Sequence, residues 1–147
     1  MEKRRLASIA AITLGVILIL GGIGTWTMVS STLAEQRITT PDDACLPGRD
    51  VTGPFTAYCQ AMVIQDHALE ITDGQTYAEL DREDPRRETA MDASFLQASL
   101  FTSVVSFGVA GMAGAIGLLF VLIGLGMRDV SEHLVDEGEQ ERTDASV

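Results

Sequence analysis

Charged side chains are missing from two long stretches of this chain, Leu6–Ala34 and Ala93–Met127. Both exceed the roughly 20 apolar residues that cross the hydrocarbon core of a bilayer, and too little of the 147 residues is left over for a sizeable soluble core. Histidine is also scarce: His67 and His133 are the only two. There is no G-x-S-x-G elbow, no P-loop and no dinucleotide glycine pattern, and the glycines of GGIG fall inside an uncharged run. No C-x-x-C occurs, so a thioredoxin-like redox motif is excluded. A net charge of −11 removes the basic footprint that nucleic-acid binding needs. Neither run contains an Asp, Glu, Lys, Arg or His, the groups that mark many intramembrane ion and proton paths.

What is present reads as an all-α membrane protein, a two-transmembrane-helix hairpin carrying a small disulfide-stapled helical lobe. The expected layout is an amino terminus over 1–5, a first transmembrane helix over 6–29, an extracytoplasmic lobe over 30–97, a second transmembrane helix over 98–127 and an acidic tail over 128–147. The first run is too long for the apolar region of a cleavable signal peptide, about 7–15 residues, and Trp26 near its end suits a membrane–water interface. Lys3, Arg4 and Arg5 before the first run and Arg128 after the second place both termini in the cytoplasm by the positive-inside tendency. The tail, DEGEQERTDASV at its end, is acidic and without an apolar stripe, and disorder is expected.

The two cysteines, Cys45 and Cys59, both fall in the outward segment, where an even count in an oxidising compartment reads as a disulfide; two free thiols are the alternative. After a loop rich in Pro, Gly, Asp and Thr, with a short extended piece at Arg37–Thr39, a helix is expected over about 55–71. Its spacing puts Phe55, Tyr58, Cys59, Met62 and Leu69 on one face, and Asp73-Gly74 stops it. Asp66, His67 and Glu70 read as an ordinary solvated face rather than a metal site. Thr76 and Glu79 have the form of a capping box, so a second lobe helix is expected over about 77–97. From Pro85 nothing breaks the helix before Met127, so one rod carries the chain from water into the bilayer and gives the lobe a rigid post.

At 100° per residue Ser99, Ser103, Ser106, Ala110, Gly114, Gly117, Val121 and Gly124 share a line, and Ser8, Gly15 and Gly22 recur every seven residues on the first run. In lipid, small residues serve close helix packing, so these faces are expected to meet, within one chain or between chains.

The strings GPFTAYCQA, TYAELDREDP and TAMDASFLQASLFTSVVSFGVA resemble a family of small two-span bacterial membrane proteins often labelled automatically as "aromatic ring-opening dioxygenase". The resemblance implies this topology and a bacterial plasma membrane, but no reaction. A non-haem iron site of the facial type needs two His and a carboxylate around one metal, and the expected topology leaves one His on each side. No cofactor is expected. The leading expectation is a non-enzymatic accessory or envelope interaction module, partnered by the lipid bilayer and by another protein or a second copy of itself. The alternatives are the dioxygenase subunit of the label and an oligomeric channel or transporter lined by Ser99, Ser103 and Ser106.

Overall fold

The computed structural model describes residues 3–128 in full, and its backbone helix assignments reach Glu2 and Asp144. The expected disorder of the acidic tail lies outside the described residues. The element order is α1 (Glu2–Glu35), α2 (Pro54–Ile71) and α3 (Arg87–Asp144), so all regular elements of the described residues are helical. The described stretches Lys3–Glu35 and Arg87–Arg128 are long and apolar enough to cross a membrane.

Contacts divide the chain into two units, residues 1–24 with 110–147 and residues 25–109. In the first, α1 and α3 pack antiparallel in a heptad register. Ser8 Oγ donates to the Gly124 carbonyl at 2.6 Å. A Cβ placed on Gly15 would lie 2.5 Å from the Gly117 carbonyl oxygen, and one on Gly22 2.6 Å from that of Ala110. Each step of seven up α1 therefore matches a step of seven down α3. Ile12 and Ile19 fill the intervening positions, lying against Gly124 and Gly117. A strict seven-residue repeat on both helices is the pattern of a left-handed supercoil.

The second unit has its core around Leu33, Val51, Ala57, Ala61, Leu100 and Phe107, with Val29, Ile38, Ile64, Phe101 and Val104 packed against it. Trp26 meets Phe107 edge-on, ring centroids 4.7 Å apart. Residues 98–107, assigned by the sequence reading to the second span, thus supply much of this core.

α2 starts where Pro54 occupies a position whose missing N–H costs nothing. Gly53 has no side chain to cap with, and Thr56 does the work instead: its hydroxyl accepts from the Thr52 and Gly53 amides, both at 3.2 Å. The helix ends at Thr72, followed by Asp73 and Gly74 at φ of 55° and 82°. The expected bounds of 55–71 differ from these by one residue. The face shared by Phe55, Tyr58 and Cys59 is not buried as a whole. Ala57, Cys59, Ala61 and Val63 are the buried residues of α2, whereas Phe55 and Tyr58 are exposed.

A helix over 77–97 does not form as one element. Thr76–Leu80 makes a single turn, with the Glu79 carboxylate accepting from the Thr76 amide and hydroxyl, both at 2.8 Å. Asp81–Arg86 is turn and coil, and α3 begins at Arg87, two residues beyond Pro85. Asp84 caps this start: its carboxylate accepts from the Arg86 amide at 2.8 Å, as an N-cap does two residues ahead, and grips the Arg86 guanidinium. The Arg87 amide donates to the Asp84 carbonyl in a tighter turn before α3.

Candidate functional site

Two sets of residues stand out, the small-residue seam of the first unit and the charged lobe of the second. In the seam, Ser8, Gly15, Gly22, Gly117, Ala110 and Gly124 are all buried, and Gly114 is half-buried with its amide 3.2 Å from the position of a Gly22 Cβ. No Cβ fits at Gly15, Gly22, Gly117 or Gly124 without a shift, so glycine at these positions sets the separation of the two backbones.

The seam does not include all the serines expected in it. Ser99 is exposed. The hydroxyls of Ser103 and Ser106 donate back to the carbonyls of Ser99 and Thr102 on their own helix, at 3.2 and 2.8 Å. Along this part of α3, Leu100 and Phe107 are buried instead. An unsupercoiled helix turns by 100° per residue, but packing held to a seven-residue repeat drifts about 20° per heptad from that line. Counted back in sevens, Gly124 leads to Gly117, Ala110 and Ser103, and Val121 leads to Gly114, Phe107 and Leu100, so Ser99 and Ser106 fall off both rows.

The lobe is fastened at three places. Cys45 and Cys59 form a disulfide across a separation of 14 residues, with Cα atoms 5.4 Å apart. It ties the loop before α2 to the first turns of that helix. Within the loop, Ile38–Thr40 pairs with Arg49–Val51: Thr40 donates to Arg49 at 2.9 Å, Val51 to Ile38 at 2.9 Å, and Thr39 bridges Asp50. The buried Thr40 hydroxyl accepts from the Arg49 amide at 2.9 Å and donates to the Leu46 carbonyl, closing the tip around Gly48, whose φ is 64°.

The second fastening is an ion pair that sequence spacing could not reveal, because its partners are 24 residues apart. His67 Nε2 lies 2.6 Å from Asp43 Oδ2. The hydrogen bond to Asp43 raises the His67 pKa above its ordinary 6.5, aided by the charges of Glu70 and Asp66. The same bond lowers Asp43 below its ordinary 3.8. Thirdly, Arg86 binds Asp73 at 2.8 Å and Asp84 at 2.9 Å, joining the end of α2 to the start of α3. Those carboxylates hold the guanidinium pKa above its ordinary value, and Arg86 holds that of Asp84 down. Arg87 stacks 4.1 Å over the Tyr77 ring and donates to the carbonyls of Tyr77 and Leu80.

Two open hollows occur in this unit. One, of about 80 Å³, is lined by amides including Gln65, Gln75 and Gln97; Gln97 donates to Gln65 at 2.6 Å across it. The other, of about 330 Å³, lies between Leu33, Arg37, Asp50 and Thr52. In the second the Thr39 hydroxyl donates to the Asp50 carboxylate at 3.2 Å, an exposed pair. Among the described residues no three His, Cys, Asp or Glu side chains are grouped to hold a metal ion. Comparison with protein-family models, with curated proteins and with solved structures finds no match to this chain.

Proposed function

We propose that the chain is a two-pass membrane protein whose charged lobe serves as a non-enzymatic interaction module outside the bilayer, with both termini cytoplasmic. The supporting observation is how the two long helices are buried. Only 17% of the most apolar window of each is covered by protein, while the residues that are covered in the first unit are mainly the small ones of the seam. Ile17, Leu20, Leu119 and Ile123 are all more than half exposed. A water-soluble chain rarely leaves so large an apolar surface bare, and lipid is the solvent in which it is covered without further protein. The described segments of that unit, 3–24 and 110–128, are each about 30 Å long at 1.5 Å per residue, the thickness of a hydrocarbon core.

A soluble enzyme would orient reactive groups in an enclosed cleft. Here several ionisable side chains of the lobe are paired, Asp43 with His67 and Asp73 and Asp84 with Arg86, while Glu79 accepts from Thr76. Such pairing makes a rigid, exposed, mostly acidic surface suited to contact with another protein. The resemblance in sequence supports the outside of a bacterial plasma membrane as the place of this surface. Alkaline washing of membranes tests the anchoring: the full-length chain should stay in the pellet until detergent is added, and its recovery in the wash would overturn the reading. Crosslinking in intact cells then tests the module, with a heterologous adduct or a dimer as the expected product.

A further inference from the structure

We infer that the first turn of α2 is a lipid-interface anchor, with Phe55 and Tyr58 inserted among the headgroups and upper acyl chains of the outer leaflet. This rests on the two-pass reading above. Phe55 is 78% exposed and Tyr58 47%, although α2 has alanines in its buried positions. Large aromatics outside and alanines inside is the reverse of what water as the surroundings would favour.

The contacts of α2 fix the height of these rings along α3. Tyr58 packs edge-on against Phe101 at 6.0 Å. Further up, Gln65 meets Gln97, and Ala68 and Leu69 share a hollow with Ala90 and Ala93. α2 therefore runs opposite to α3, its start level with the uncharged run and its end level with the charged one. On α1, Ser30 Oγ donates to the Thr52 carbonyl at 2.7 Å, which brings the residue before Gly53-Pro54-Phe55 to about one turn from Trp26. Trp26, itself 42% exposed, is an interface residue by type.

Charge follows the same gradient. Residues 35–92 are dense in Asp, Glu and Arg, yet Val51–Gln65 contains none, and charge returns at Asp66, His67 and Glu70. Along α2 the uncharged part is the part beside Phe101, and the charged end, Asp66 to Glu70, is toward the charged start of α3; the charges of the preceding loop stop at Asp50. A lipid interface accounts for both the exposure of the rings and the placing of the charge along α2.

The test uses the full chain with Trp26 replaced by Phe, so that a single new tryptophan reports its surroundings. The chain is reconstituted in phosphatidylglycerol vesicles brominated either near the ester end or near the middle of the acyl chains. Phe55→Trp should lose most of its emission to bromine near the ester end, less to bromine near the middle, and little to aqueous iodide. Leu119→Trp reads the two-pass arrangement separately and should be quenched by bromine near the middle. Quenching of Phe55→Trp by iodide and not by bromine, with Leu119→Trp quenched by bromine, overturns the anchor alone. Shielding of Phe55→Trp from both quenchers also overturns it, in favour of a protein partner on this face. If Leu119→Trp is itself quenched by iodide, the two-pass reading fails and the anchor fails with it.

Discussion

At the scale of single residues, the glycines of the seam and the lobe histidine make the sharpest claims. A methyl group at Gly22 would lie 2.6 Å from a backbone oxygen, which cannot rotate away. Gly22→Ala should therefore destabilise the hairpin by about 1–3 kcal/mol, the usual cost of overpacking. Gly21→Ala, one residue along with nothing within 4 Å of its Cβ, should change stability by no more than about 0.5 kcal/mol. Thermal unfolding in detergent distinguishes the two; equal effects would mean that the backbones do not touch at this seam. For His67, a raised folded pKa means that its contribution is fully present below the ordinary 6.5 and is lost as pH rises through the raised value. Asp43, lowered, contributes above its ordinary 3.8 and loses that contribution as pH falls through the lowered value. The pair thus acts from weakly acidic pH up to the raised histidine value. In Asp43→Asn the imidazole titration, followed by NMR, should move down toward 6.5, retaining only the smaller effects of Glu70 and Asp66. An unmoved titration would show that the pair does not form.

At the scale of elements, the disulfide loop is the least self-sufficient part. Its pairing amounts to one isolated bridge and a few backbone bonds, and Cys45–Cys59 constrains the 14-residue separation. Closing a loop of that size is worth about 3 kcal/mol. The Cys45→Ser, Cys59→Ser double variant should lose about that much local stability, seen as faster hydrogen exchange at the Thr40 and Val51 amides, while amides of Ala110–Gly124 stay protected. Unchanged exchange in the loop would mean that its own hydrogen bonds suffice. These elements also show where sequence was informative. Gly53-Pro54 and Asp73-Gly74 bracket α2 with residues of fixed or left-handed φ, a local cue that needs no tertiary knowledge. The recurrence of Ser8, Gly15 and Gly22 was equally plain. Which side of α2 is buried was not legible, because spacing groups residues on a face without saying what covers it, and here Ala57 and Ala61 are covered while Phe55 is not. Nor was the Asp43–His67 pair, which depends on how the loop returns over α2. The single turn at Thr76–Leu80 had its capping box, but the chain leaves that turn at Asp81 and is capped afresh by Asp84 for α3.

The whole molecule is asymmetric in charge, with a short basic amino terminus ahead of the first apolar run and a strongly acidic middle. Orientation depends mainly on Lys and Arg close to the ends of the spans, since acidic residues contribute little. Lys3, Arg4 and Arg5 are then the chief cue, and Arg128 the secondary one. The arginines of the middle segment oppose them from nearby, Arg37 three residues from Ala34 and Arg86 and Arg87 seven and six from Ala93, but that segment is long, and charge in long segments weighs less. In intact cells treated with a reductant, a thiol reagent that cannot cross membranes should label Cys45, which is exposed, and without the reductant it should not. Replacing Lys3, Arg4 and Arg5 together by Gln leaves Arg128 to compete alone with the five arginines of the middle, so a sizeable share of chains should invert and lose the label. Full labelling of that variant would mean that the apolar runs themselves, and not the flanking cations, decide which side the lobe occupies.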